Sequence, residues 1–277
     1  LEFRRVLFRS NSRLGDSFLG WGSNALSATE RPLSQDYLLP HLMRSGHMIE
    51  PPNHASKSWV LSPSDFGFLW DECRRCFYRK VVLGRLRPKA PFPKIFGDID
   101  EHMKRFYEGK RTDAMGTGMP DGVVHVSDQW VVSRPITRPG RAGTCVIRGK
   151  FDTVLRCDDG SYAVIDYKTT SPSSKTIEKY FCQLHAYAYA LEHPAAGALE
   201  LAPVRHLGIL AFKPDTFAQG KTGRVGFAGH VTWHPVHRDD TRFLEFLDEV
   251  LGVLEAPSAP PSSSTCQWCS YQSLTEG

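Results

Sequence analysis

The chain has 277 residues, 41% of them hydrophobic, and a formal net charge of +4. That length holds one large domain or two small ones, and that apolar share supports a globular core. No apolar stretch approaches a membrane span and no secretory signal is visible, so no membrane partner and a cytoplasmic, reducing setting are expected; the small net charge does not argue for nucleic acid.

Residues 1–10, LEFRRVLFRS, read as the in-frame translation of a sequencing-library adapter, a non-native scar set aside from fold reasoning. They carry three Arg and one Glu, and without them the net charge falls to +2. Residues 11–58 mix Ser, Asn, Pro and His without periodicity and read as a poorly ordered or peripheral lead-in, leaving 59–277 as the ordered domain. Ser62 suits a helix N-cap, Pro63 the first helical position and Asp65 the acid of a capping box, which predicts a helix over about 63–80. A second helix is expected near 94–108, then strands near 124–136, 144–157 and 161–168. Ile177, Phe181, Leu184, Ala188 and Leu191 form the apolar stripe of a helix over 176–193. Strands near 205–213 and 224–234 follow, then a helix over 240–255 with Phe243, Phe246, Leu247, Val250, Leu251 and Leu254 on one side. A Pro- and Ser-rich linker, 257–264, leads to a short cysteine-bearing tail. Mixed strands flanked by helices indicate an α/β domain.

Asp158-Asp159-Gly160 is the turn between two strands. A three-residue loop with Gly160 left-handed pairs Cys157 with Ser161, so opposed residue numbers sum to 318. Asp152 and Asp166 obey that sum, which sets their side chains about 5 Å apart on one face. Lys168, two residues beyond Asp166, points the same way. Two acids and a lysine are the minimum set for metal-assisted phosphodiester cleavage: the acids hold a divalent cation and the lysine orients the attacking water. The bland alternative is a solvated hairpin face with a cross-strand ion pair.

Gly149-Lys150-Phe151-Asp152, then Asp166-Tyr167-Lys168, then Gln183-Leu184-His185-Ala186-Tyr187 resemble, in order and spacing, the PD-(D/E)XK nuclease superfamily. The closest resemblance is to its RecB-like branch, which includes the iron–sulfur nucleases of CRISPR adaptation. It implies a restriction-endonuclease-like core with a central mixed sheet flanked by helices. It also implies cleavage of DNA, single-stranded or as duplex ends, with Mg²⁺ or Mn²⁺. Asp152, Asp166 and the Tyr167 carbonyl would then be metal ligands and Lys168 the water-orienting residue. Gln183 and Tyr187, neighbours on one helix, would support the site. Relatives often complete the metal shell from an upstream helix. Here Glu101, His102 and Asp100 all stand open as that ligand, with a surface ion pair to Lys104 or Arg105 as the alternative.

The seven cysteines form two groups. Cys145, Cys157 and Cys182 read as small buried apolar residues. Cys73-Arg74-Arg75-Cys76 and Cys266-Gln267-Trp268-Cys269 are two Cys-x-x-Cys pairs, which signal a four-thiolate metal clasp joining the two ends of the domain. The relatives place one cysteine before the core and three after it, so the arrangement here departs from theirs. The resemblance favours a [4Fe–4S] cluster, with Zn²⁺ as the alternative. Residues 74–89 hold Arg74, Arg75, Arg79, Lys80, Arg85, Arg87 and Lys89 with no acid among them, an expected DNA-phosphate surface led by Arg74, Arg75, Arg79 and Lys80. The reading from another class is a catalytically inactive DNA-binding or scaffold protein that retains the fold and the clasp.

Overall fold

The computed structural model describes residues 57–88, 93–170 and 172–275; the adapter-like start and the lead-in through residue 56 lie outside them. The expected strand over 124–136 is two strands, β2 (Gly122–Ser127) and β3 (Trp130–Val132). The one over 144–157 is likewise two, β4 (Thr144–Lys150) and β5 (Thr153–Cys157). Both break at the same level. Ser127 pairs with Thr153 and Trp130 with Lys150, so one register carries through the break and the two halves form a single bent ribbon. The bend is held by the Asp128 N–H donating to the Asp152 carbonyl (2.9 Å) and the Phe151 N–H to that of Gln129 (3.1 Å). Asp128 takes φ +57°, a left-handed conformation that aspartate tolerates better than most residues. Asp152 therefore stands at a corner, where the chain passes from one sheet to the other.

One half of the ribbon belongs to a three-stranded sheet of order β1-β4-β3, with β1 (Ser58–Leu61) parallel to β4. The other half belongs to a five-stranded mixed sheet of order β2-β5-β6-β7-β8. Its strand β6 (Tyr162–Lys168) is buried on both faces and pairs antiparallel with β5 and parallel with β7 (Val204–Gln219). β8 (Val225–Val236) is the edge. Parallel neighbours need a crossover, supplied by α4 (Ser174–Lys179) and α5 (Phe181–Glu192). The expected single helix there is divided at Tyr180 (φ −88°, ψ −5°), which ends α4 and precedes α5. The first expected helix is divided too, into α1 (Pro63–Asp65), a π-helical turn (Phe66–Trp70) and α2 (Arg74–Leu83). The Ser62 side chain makes no capping bond, and Asp65 pairs with Lys80 instead of closing a capping box. Gly67 lies on the π turn because a Cβ there would stand 2.4 Å from the Lys179 carbonyl. The helices α3 (Lys94–Tyr107) and α6 (Asp240–Glu255) match their expected spans, and α7 (Gln267–Thr275) is the tail.

The core lies on both faces of the five-stranded sheet. Val164 packs with α5 and α6 through Leu184, Leu191, Phe243 and Leu247. Ala163, Ile165 and Tyr167 point the other way, onto Leu155, Leu210 and Tyr107 of α3. Burying each such aliphatic side chain contributes about 2 kcal/mol. This alternation decides the site: Asp166, in phase with Val164, faces α5.

Candidate active site and cysteine clasp

The turn after β5 has Gly160 at φ +82°, its N–H bonded to the Cys157 carbonyl (3.0 Å), and Cys157 pairs with Ser161 (2.8 Å). Thr153 then faces Ile165 and Arg156 faces Tyr162, the register expected from the sequence. Continuing it by one residue sets Asp152 opposite Asp166.

Asp166 is buried, and its Oδ1 accepts from Gln183 Nε2 at 2.9 Å. Its Oδ2 makes an ion contact with Lys168 but receives no directed hydrogen bond, and Gln183 Oε1 is also buried without a partner. Burial above all, with the nearby Asp152 carboxylate adding to it, pushes the Asp166 carboxyl up to about 7 against the pull of Lys168. The Lys168 ammonium lies 3.1 Å from the Tyr167 carbonyl and 4.9 Å from the centre of the Tyr180 ring. Burial acts to lower its pKa, but Asp166 and Asp152 outweigh that and raise it, which favours the ammonium form. Asp152 Oδ2 accepts the Tyr167 N–H (2.9 Å) and its Oδ1 accepts from Lys104 (2.9 Å). The Tyr187 hydroxyl donates to the Lys150 carbonyl (2.8 Å), pinning the strand that delivers Asp152. Gly149 is needed beside it, since a Cβ there would meet Pro63 at 2.7 Å and the Tyr187 ring at 3.1 Å.

Of the upstream candidates, Glu101 is exposed and pairs with Arg105, and His102 is exposed. Asp100 is the one that lines the cleft. Sequence reasoning missed Lys104, treated only as a surface partner for these acids. It is 7% exposed, and its ammonium reaches Asp100 (2.8 Å), Asp128 (3.1 Å) and Asp152 (2.9 Å). Burial opposes its charge, but Asp152 and Asp100 prevail and hold its pKa well above the usual lysine value. Asp128 was missed as well; it also pairs with Lys150 at 3.2 Å. The helical spacing of Asp100 and Lys104 was visible, but not that the ribbon bends to bring Asp128 to them.

The cleft has a volume of about 500 Å³, with Phe68, Phe96 and Thr170 among its walls. A larger cavity of about 610 Å³ beside Arg205, His206 and Trp233 has no carboxylate in its lining. The hard oxygens of Asp152, Asp166 and Tyr167 suit a divalent cation, and the Asp166 Oδ2 without a directed bond fits that use.

Cys73 precedes α2 and Cys76 lies in its first turn; Cys266 and Cys269 repeat this at α7. The four Sγ atoms lie within 4.8 Å of one another, the one group of three or more clustered Cys, His, Asp or Glu ligand atoms among the described residues. Separations are 3.9 Å for Cys73–Cys269, 3.8 Å for Cys76–Cys266 and 3.4 Å for Cys76–Cys269. The clasp is thus present, joining α2 to α7. Arg87 donates to Cys266 Sγ (3.1 Å) and pairs with Glu72 (3.0 Å). Cys145 and Cys157 are buried as expected, whereas Cys182 is half-buried.

The basic run is largely committed to the protein itself. Arg74 pairs with Glu249 (2.5 Å), Arg79 donates to Gln272, and Lys80 donates to Asp65 (2.7 Å). Arg75 is half-buried, Arg85 is exposed, and Lys89 lies outside the described residues.

The model of the PD-(D/E)XK nuclease superfamily matches residues 103–274, which takes in Lys104, Asp128, Asp152, Asp166, Lys168, Gln183, Tyr187 and one half of the clasp. Curated proteins give no match. Among solved structures, the crystal structure of SSO0001 is 15% identical and covers 77% of this chain and 82% of that one; with a TM-score of 0.42 the likeness carries no argument. The family match spans more than half of the sequence and contains the opposed aspartates with their lysine: the chain belongs to the PD-(D/E)XK nuclease superfamily.

Proposed function

We propose that the chain is a Mg²⁺- or Mn²⁺-dependent deoxyribonuclease of the RecB-like kind, acting in the cytoplasm in DNA repair, recombination or CRISPR-type processing. The observation that carries the reading is that Asp152, the residue before β5, and Asp166 of β6 come opposite each other when the β5–β6 register is extended by one residue, with Lys168 in contact with Asp166. Asp152, Asp166 and the Tyr167 carbonyl would hold the cation, with Asp100 a better-placed fourth donor than Glu101 or His102. Bound there, a divalent cation supplies Lewis-acid polarisation of the phosphate and a water of lowered pKa. Gln183 fixes the rotation of the Asp166 carboxylate, and the Tyr167 N–H fixes that of Asp152. Lys168, charged at its tip, orients the water and offsets charge developing on the phosphate. Tyr187 keeps the corner at Asp152 in place. Arg75 and Arg85 remain the candidates in the basic run for DNA phosphates. Arg74, Arg79 and Lys80 contribute there only by sharing their ammonium or guanidinium groups with the protein partners they already have.

For the clasp we read a single tetrahedral ion, zinc first. Four thiolates on one ion at about 2.3 Å bonds are about 3.8 Å apart, which the sulfur separations approach. The [4Fe–4S] cluster favoured by resemblance binds one thiolate at each iron corner of a cubane and needs them spread more widely.

Cleavage assays on single- and double-stranded DNA with Mg²⁺, Mn²⁺ and EDTA test the reading. Products in the metal lanes, absent with EDTA and absent for Asp166→Ala, are expected. DNA binding without cleavage under every metal condition would establish the inactive scaffold instead.

A further inference from the structure

Beyond Phe212, β7 and β8 leave the body of the sheet, and every residue from Lys213 to His230 is exposed. A two-stranded ribbon with both faces in water is marginal on its own. This one nevertheless presents large apolar side chains: Phe217, Val225 and Phe227 are 60%, 58% and 58% exposed. The register places them together. Phe217 faces Phe227 and Gln219 faces Val225 on one side, the two rings 5.4 Å apart, while Thr216, Ala218, Gly226 and Ala228 take the other side. A tight turn closes the ribbon, with Gly223 at φ +75° and the Gly220 N–H bonded to the Arg224 carbonyl (2.6 Å), and sets Lys221 and Arg224 at the tip. Lys213 adds a third cation, and Asp215, the only acid of the stretch, lies 3.2 Å from His230. The ribbon is also placed by the site: Ala211 is the register partner of Lys168, so the arm starts level with the cleft and reaches ~26 Å beyond it to Gln219.

We propose that this arm is a nucleic-acid-binding surface that extends the cleft, with bases of an unpaired strand stacking on Phe217 and Phe227 and phosphates meeting Lys221 and Arg224. The proposal rests on the nuclease reading above. An apolar face at a sheet edge also suits a second copy of the chain, but the cations at the tip and the rise from the end of the cleft favour a polyanion.

The test is the affinity of the full chain for a fluorescent single-stranded oligonucleotide, in EDTA, across a salt series, with the oligomeric state followed by light scattering. Lys221→Glu/Arg224→Glu is expected to weaken binding at least tenfold and to flatten the dependence of log Kd on log salt by ~1.4, about 0.7 for each phosphate no longer neutralised. Phe217→Ala/Phe227→Ala is expected to weaken binding about tenfold without changing that slope, since stacking releases no counterions. Neither pair belongs to the buried core, so the thermal transition of each variant should match the parent's. Parental affinity in both variants, in a parent that binds and cuts DNA, overturns the arm proposal and leaves the nuclease reading standing. Weaker binding that accompanies dissociation of a parental dimer assigns the arm to self-association and overturns it too. A parent that neither binds nor cuts overturns both.

Discussion

The clasp and the cleft each gather ligand-bearing side chains at one place, and they do so in opposite ways. The clasp is four soft donors of one kind, three of them buried, with Arg87 alongside and Leu69 and Trp268 packed around them. In the cleft every acid is matched to a lysine: Asp166 to Lys168, and Asp152, Asp128 and Asp100 to Lys104. A shell completed by the protein alone is what a structural ion requires, whereas an open wall with exchangeable partners is what chemistry requires. The two are close neighbours even so. In the π turn Phe68 lines the cleft and Leu69, the next residue, packs on the thiols.

If the contrast is correct, the two centres fail separately. Asp166→Ala should reduce metal-dependent cleavage about a thousandfold or more, and Lys168→Ala about a hundredfold, because each removes preorganised charge at the phosphate. Oligonucleotide affinity and the metal content of the clasp, measured by anisotropy and elemental analysis, should stay at the parental level. Cleavage at the parental rate in both variants would remove the two-acid site from consideration.

The clasp should respond in the reverse sense. Cys266→Ser should cost about 3 kcal/mol or more, a fall of ~10 °C in the thermal midpoint, because an ion shared by thiolates 190 residues apart would be coupled to folding. A strong chelator should bring the parent to the same midpoint and leave the variant unmoved. The parent should carry one equivalent of zinc and be colourless; brown protein with iron and sulfide would restore the cluster. Asp166→Ala should keep the parental midpoint.

The difference between the centres also explains what the sequence disclosed. The opposition of Asp152 and Asp166 followed from local arithmetic, since a three-residue turn and period-two alternation propagate along a hairpin without help from the rest of the fold. The clasp followed from spacing, because two Cys-x-x-Cys pairs each supply half a shell. The Lys104 cluster was illegible for the converse reason. It depends on where one ribbon bends, which the hydrogen bonds between residues 128–129 and 151–152 hold, and on how α3 docks through Tyr107 onto Tyr167; neither is written in neighbours along the sequence. The divided helices share this origin: the close pass of Gly67 to Lys179 and the turn at Tyr180 answer to tertiary contacts that periodicity does not register.

Lys104 offers the sharper test of how the cleft is balanced. Lys104→Met leaves Asp100, Asp128 and Asp152 facing one another without their shared cation; because these acids are partly exposed, the imbalance should cost about 1–2 kcal/mol, between the figures for exposed and buried pairs. In urea titrations the loss should be largest in EDTA at pH 8. It should shrink as pH falls, because Asp100 already has its pKa raised by burial and by its acidic neighbours and takes up a proton early. Mn²⁺ should stabilise the variant more than the parent. A variant as stable as the parent in EDTA would show that the carboxylates are independent of one another.

The smallest expected effect belongs to His185, a buried residue of α5 that touches neither centre. Its Nε2 accepts the Asp239 N–H (2.8 Å), so the proton is on Nδ1, which donates to the Phe181 carbonyl (2.8 Å). The ring thereby ties α5 to the start of α6, where the Asp239 side chain caps Arg242. Burial lowers its pKa from the usual 6.5, against the favourable pull of Asp240 and Asp239. The sign follows directly: the unfolded chain takes up this proton first, so the stability carried by the neutral ring is complete above about pH 6.5 and is lost as pH falls toward the folded value. Urea midpoints at pH 7.5 and 5.5 should therefore fall further for the parent than for His185→Gln, whose amide can keep the acceptor to Asp239 without titrating. Equal falls would mean that acid acts on this fold through its carboxylates alone, and the link between α5 and α6 would then be indifferent to protonation.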